Sequence, residues 1–261
     1  MTEFAAAADG TRIAYDDIGE GAPVLLIHGF ASHRIQNWKE PGWYKTLTEA
    51  GYRVIAPDCR GHGESGKPHA VEAYEHDVMA RDAVAVMDAA GLTRPFVMGY
   101  SMGGSIGMHL VCGHAERVKA LAIGGVGASY LDRAAGTMAV TDPERRLLIA
   151  DALVVEDKST IADPTARLFR EFAEQPGKDR LALSACMRAD RKPLKAADLA
   201  KVQCPILVVC GDKDLLTGPP DLLAAAFAHG RAVAVPGRDH MTAVGDKVYK
   251  QAVLEFLKEN A

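Results

Sequence analysis

Gly99-Tyr100-Ser101-Met102-Gly103 sets a serine between two glycines, directly after the apolar run Phe96–Met98 and directly before the helix-compatible stretch Ser105–Val111. A strand that turns sharply into a helix strains the backbone at its apex, and the positions two away on either side then have no room for a side chain. Both are glycine here, and Gly104 lets the helix approach closely. A chain with 25 glycines can produce the pentapeptide by chance, so the flanking strand and helix carry the specificity. A serine hydroxyl is a weak nucleophile until a base takes its proton. The pattern therefore asks for a histidine, and behind it a carboxylate that holds the imidazole tautomer and stabilises the imidazolium.

Nine histidines are available. His240, in Pro236-Gly237-Arg238-Asp239-His240, follows the last apolar strand-like run and precedes the last helical stretch, where a loop can bring an imidazole beside the turn. His109 and His114 fall in the helix behind the serine, and His33, His69, His76 and His229 in loops or surface-facing stretches. The carboxylate is expected after the run Ile206–Cys210, where Gly211-Asp212-Lys213-Asp214 offers two choices. Asp214 is preferred because the later position can curl back toward the histidine loop, leaving Asp212 to shape the turn by side-chain to backbone bonds. Acyl transfer also needs donors for a developing oxyanion. The backbone N–H of Phe30, in His28-Gly29-Phe30 after the first apolar run, joins that of Met102 as the expected pair.

Short apolar runs must position these groups: Val24–Ile27, Val54–Pro57, Phe96–Met98, Ala120–Ile123, Ile206–Cys210 and Ala232–Val235. Each is brief and apolar throughout, as strands covered on both faces are, and amphipathic stretches alternate with them. Phe4–Ala7 and Arg12–Tyr15 flank Asp9-Gly10, a dipeptide of two-residue hairpins, which predicts an antiparallel edge. Tyr74–Ala90 places Val78, Val84, Val86 and Met87 near one helical face and stops at Gly91, and Lys247–Asn260 does the same with Val248, Val253, Leu254 and Leu257. Residues 128–193 read differently. Strand-like runs disappear, and Asp142-Pro143-Glu144 and Asp163-Pro164 carry the capping aspartate and first-turn proline of helix starts. The expectation is a helical cap at 128–193 inserted into a core formed by 1–127 and 194–261, lying over the carboxyl ends of the strands. Arg167, Arg170 and Arg188 in it are read as solvated helix-face charges. Gly124-Gly125-Val126-Gly127 lacks the third glycine of a dinucleotide-binding loop and is read as a flexible entrance to that lid.

Composition narrows the partners. With 48% hydrophobic and 25% charged residues over 261 positions, the chain has the usage and length of an ordinary globular protein. A net charge of −4 without a dense basic stripe argues against nucleic acid. The five cysteines show no C-x-x-C spacing and suit reduced thiols, and no apolar run approaches the roughly 20 residues of a membrane span. Met1–Gly10 is not a secretory signal, so a cytoplasmic location is expected. Oligomeric state is not legible.

Taken together, the motifs resemble those of the α/β-hydrolase superfamily over nearly the whole chain. His28-Gly29-Phe30 resembles the family's oxyanion loop, Asp58-Cys59-Arg60-Gly61-His62-Gly63-Glu64-Ser65 its D-x-R-G-x-G-x-S segment, Gly99–Gly103 its nucleophile elbow, Gly211–Asp214 its acid loop and His240 its terminal histidine, in the same order. Two departures stand out: Asp239 rather than glycine precedes the histidine, and the cap matches no subfamily pattern. The resemblance implies an α/β-hydrolase fold: a mostly parallel eight-stranded sheet with an antiparallel second strand, helices on both faces and a small helical cap. It implies structural roles for Arg60, His62 and Ser65. The expected activity is serine hydrolysis of a small uncharged carboxylic ester through an acyl-enzyme, using Ser101, His240 and Asp214 with the Phe30 and Met102 amides, without cofactor or metal. Carbon–carbon hydrolysis, lactone opening, perhydrolysis and a receptor without turnover stay open on the same triad. Serine at position 101 argues, by resemblance, against epoxide hydrolase or haloalkane dehalogenase chemistry.

Overall fold

The computed structural model describes residues 2–131 and 142–261. Eight strands form one sheet: β1 (Thr2–Ala6), β2 (Arg12–Ile18), β3 (Ala22–Ile27), β4 (Tyr52–Pro57), β5 (Phe96–Tyr100), β6 (Leu121–Gly124), β7 (Ile206–Gly211) and β8 (Gly230–Val235). Their spatial order is β1-β2-β4-β3-β5-β6-β7-β8. β2 runs antiparallel to both neighbours and every other pairing is parallel. The N-terminal hairpin exists, but five residues rather than two connect its strands: Gly10 adopts a φ of +82° and the Asp9 side chain accepts the Thr11 N–H (3.0 Å).

The uniformly apolar strands are explained by two cores, because alternate side chains of a strand point to opposite faces. Leu25 and Ile27 of β3 pack with α2 (His76–Ala89) and α3 (Met102–Gly113), whereas Val24 and Leu26 pack with α1 (Trp43–Glu49) and α9 (Lys247–Glu259). α2 buries Met79, Ala83, Val86 and Met87, with Val78 and Val84 at the margin of that face. α9 buries Tyr249, Val253, Phe256 and Leu257, and its first turn is capped by Asp246, which accepts the Val248 N–H (2.7 Å).

Between β6 and β7 the described chain holds α4 (Pro143–Val154), α5 (Pro164–Ala173), α6 (Arg180–Arg188) and the short α7 (Ala196–Leu199), and the short α8 (Asp221–Ala225) links β7 to β8. The expected cap at 128–193 includes residues 132–141, which lie outside the described residues. Asp142 and Asp163 cap α4 and α5 through the N–H groups of Glu144 and Ala166, with proline in the first turn of each helix. These helices share a third cluster, Ile149, Leu153, Ile161, Ala166, Leu183 and Met187, which closes over Ala31 and Phe30 just beyond the end of β3. Arg170 is not a solvated charge. It is 3% exposed and donates to the carbonyls of Ala152 and Val155 (2.7 Å each), strapping α5 to the end of α4. No described helix is long and apolar enough to cross a membrane.

Candidate active site

β3 and β5 are neighbours, yet the chain leaves β3 for β4 on one side and leaves β5 for β6 on the other. Loops leaving the carboxyl ends of two such strands diverge and open a crevice between them. The His28–Phe30 loop leaves from β3 and Ser101 from β5. Ser101 has a φ of 53° and a ψ of −115°, a conformation that side chains rarely tolerate. It is held there by its own N–H, which donates to Gly124 O (2.8 Å), and by the start of α3, where Ser105 N–H donates to Ser101 O (3.1 Å). The flanking glycines are obligatory. A Cβ on Gly99 would stand 2.2 Å from Gly103 O, and one on Gly103 would stand 2.0 Å from Ile27 O.

Ser101 Oγ lies 3.0 Å from His240 Nε2, and His240 Nδ1 lies 2.8 Å from Asp214 Oδ2. A carboxylate only accepts, so Nδ1 carries the proton and Nε2 presents its lone pair to the serine hydroxyl. Asp214 is 4% exposed, and its other oxygen accepts the N–H groups of Leu216 (3.0 Å) and Thr217 (3.2 Å), which fix the carboxylate. Asp212, the other choice, is exposed and accepts Gly237 N–H (2.7 Å), pinning the β7 and β8 loops together.

Phe30 and Met102, named as oxyanion donors, lie at the end of the β3 loop and at the first position of α3. Among the described residues, neither amide has an acceptor in the protein. The preceding loop is rigid: Gly29 N–H donates to Asn37 Oδ1 (3.0 Å), His28 Nδ1–H donates to Gly29 O (2.8 Å), and His28 Nε2 accepts Cys59 N–H (2.8 Å). Complete burial pushes the His28 imidazole down to about 3, so it stays neutral and can both donate and accept. His62 is likewise pushed down to about 3 by burial and stacks edge-on against both His28 and Phe30. Arg60 makes a paired contact with Asp82 (2.6 and 2.7 Å), and Ser65 Oγ–H donates to Asp58 O (2.6 Å). All three brace the loop beneath the site.

Three contributors escape a reading by local motif. Tyr100, beside Ser101, donates its hydroxyl to the His240 carbonyl (2.6 Å), and burial keeps that hydroxyl protonated by pushing it well above its usual range. Asn37 orients the β3 loop from a short helix that carries no motif. The glycines after β6 form a seat rather than a flexible entrance. Gly125 adopts a φ of +59°, and a Cβ there would stand 2.9 Å from the Tyr100 ring and 3.1 Å from the His240 ring. His76 is not surface-facing either, being 4% exposed.

The α/β-hydrolase fold family model matches residues 22–244, and the chain belongs to that family of enzymes. Epoxide hydrolase A of Mycobacterium tuberculosis is 36% identical over 123 residues, 46% of this chain and 37% of that protein. The chain thus spans well under half the length of the first curated relatives it matches. A non-heme haloperoxidase of Rhodococcus erythropolis is 28% identical over 98% of this chain and 99% of its own length. Among solved structures, a hydrolase from Pseudomonas aeruginosa is similar with a TM-score of 0.79 and 25% identity, covering 98% of both chains.

Proposed function

We propose that the chain is a serine hydrolase acting on carboxylic esters through an acyl-enzyme, with Ser101 as nucleophile, His240 as general base and then general acid, and Asp214 as the group that orients it. The observation carrying this reading is the hydrogen-bonded line from Asp214 through His240 to Ser101 Oγ, and the Phe30 and Met102 amides have no acceptor among the described residues. Ser101 Oγ bonds to the ester carbonyl carbon as its proton passes to His240 Nε2, and the carbonyl π electrons become an oxyanion facing the Phe30 and Met102 N–H groups. Collapse expels the alcohol, which takes the proton from His240. Water then adds to the acyl carbon as the same nitrogen takes one of its protons, and collapse breaks the bond to Ser101 Oγ, which recovers that proton from His240 as the acid leaves.

Support also comes from the chain's membership of a hydrolase family and from the serine at the position where the elbow demands a nucleophile. The full-length match to a haloperoxidase favours a second use of the same acyl-enzyme, in which hydrogen peroxide replaces water and a peracid leaves. The test combines a fluorophosphonate label, which should attach at Ser101, with multiple turnover of a nitrophenyl ester. Ser101→Ala should abolish both, and near-normal turnover in that variant excludes the assignment. Labelling without turnover would instead mark a receptor that kept the pocket.

A further inference from the structure

Two guanidiniums and two imidazoles meet at the seam between the cap and the core with few partners of their own. Arg146 of α4 donates to the carbonyls of Met187 (2.7 Å) and Ala189, and its Nε is buried without a partner. Arg191, partly buried just after α6, reaches only the Met187 sulfur (3.7 Å). Both arginines therefore converge on one residue, and among the described residues neither has an ion pair. Facing them, His76 at the start of α2 is buried with neither ring nitrogen bonded, and His109 of α3 has a bare Nε2. The two rings stack edge-on with centroids 5.1 Å apart. The nearby acids are committed elsewhere: Asp77 accepts from His109 Nδ1 (2.7 Å), Glu75 pairs with Lys192 (3.0 Å), and Asp190 faces Arg146 without an ion pair but accepts Lys192 N–H (3.0 Å).

An arginine does not shed its charge in a protein, and a buried charge left unpaired costs stability. Burial and mutual repulsion bear this out: the Arg146 guanidinium is pushed down to about 10 with Arg191 beside it, and Arg191 is lowered by burial as well. Burial, with the cations beside it, also holds the His76 imidazole well below its ordinary range, so it remains a neutral N–H donor. Structural arginines elsewhere in this chain show what satisfaction looks like. Arg34 and Arg60 are more deeply buried, and each lies against carboxylates.

We infer that Arg146, Arg191, His76 and His109 form an anion site that takes a carboxylate carried by the ligand of the neighbouring serine. The cluster is joined to the nucleophile through Met102, whose sulfur lies 3.8 Å from Cys186 of α6, and Cys186 in turn feels both arginines. His109 is seven residues beyond Met102, roughly 10 Å along α3. A long-chain ester with a carboxylate at the far end of its acyl chain, an azelaic rather than a glutaric half-ester, spans that separation. This refinement rests on the serine-hydrolase reading and replaces the expectation of an uncharged ester.

Two arms of one experiment separate the site from the reaction. In the first, Ser101→Ala protein is heated with millimolar azelate or with its uncharged diamide. Azelate should raise the Tm and the diamide should not, and Arg146→Gln or Arg191→Met should weaken the response about tenfold, as loss of a charge-assisted bond does. The unliganded Tm of Arg191→Met should exceed that of the parent, because a repelling charge is removed. No azelate response, an undiminished response in both variants, a larger response to inorganic phosphate, or a Tm lowered by several degrees in Arg191→Met overturns the site. In the second arm, native enzyme is given the nitrophenyl monoester of azelaic acid and its methyl-capped counterpart. The free acid should be preferred about tenfold in kcat/KM, falling to near parity in Arg191→Met. Equal rates on the native enzyme, with the Tm response intact, would make the carboxylate a separate ligand and overturn its assignment to the substrate. Failure of the Ser101→Ala turnover test would leave the thermal arm standing by itself.

Discussion

Two carboxylates lie two residues apart after β7, and the structure gives them different work. Asp214 points inward to His240 Nδ1, while Asp212 joins two surface loops through Gly237 N–H. Asp214→Asn would set an amide against the imidazole and favour the wrong tautomer, so kcat on a nitrophenyl ester should fall about 10⁴-fold. Asp212→Asn keeps an oxygen to accept the same N–H, and its activity should match the parent; a large loss there instead would reverse the two roles. Tyr100 acts at one remove, anchoring the histidine backbone through a single 2.6 Å bond. Tyr100→Phe deletes only that bond, worth about 1 kcal/mol, so kcat should drop roughly fivefold with KM unchanged. Unaltered kcat would show that the glycine seat alone positions the ring.

At the scale of elements, the helices between β6 and β7 depend on side chains that satisfy helix ends as much as on their apolar cluster. The last carbonyls of a helix have no partner within it, and Arg170 supplies one from α5 to Ala152 and Val155 at the end of α4. Arg170→Met should therefore loosen α4 and α5 by about 2 kcal/mol. Limited proteolysis between residues 155 and 163 reads this directly: cleavage should accelerate while α9 and the sheet remain protected. Equal cleavage of parent and variant would remove the strap from the account. The elbow lies at the opposite extreme, with both glycines locked by backbone atoms that cannot move aside.

For the whole molecule, the buried histidines set a limit in acid. His28 and His62 stay neutral down to about pH 3, and His76 is lowered in the same direction by burial and nearby cations. The unfolded chain takes up these three protons near the ordinary value of 6.5, and the folded chain refuses them. Stability is thus fully present above that pH and is lost as the pH falls toward 3. At about 1.4 kcal/mol per proton per pH unit, the loss between pH 7 and pH 5 is on the order of 5 kcal/mol. Denaturant titrations across that interval measure it, and a flat profile would contradict the buried neutral state. This limit is one of folding rather than catalysis, so it should appear equally in Ser101→Ala.

Elements and turn chemistry were legible in the amino-acid order because they are local: apolar runs, a glycine two positions either side of Ser101, aspartate then proline at the starts of α4 and α5. The same locality explains why Ser101, Asp214 and His240 stood out, each occupying a loop at the end of a strand-like run. Distances did not follow from that order. Asp9-Gly10 pointed to a hairpin but not to the length of its turn, and Arg170 and His76 read as surface groups because nothing near them in the chain announces what covers them. Tyr100 against His240, Asn37 under Gly29, and four cationic or imidazole groups gathered from α2, α3, α4 and the end of α6 are pairings across 8 to 140 positions of chain. Only the crossing of strands and the closing of helices over them decide such contacts, because burial and partnership depend on what packs from elsewhere.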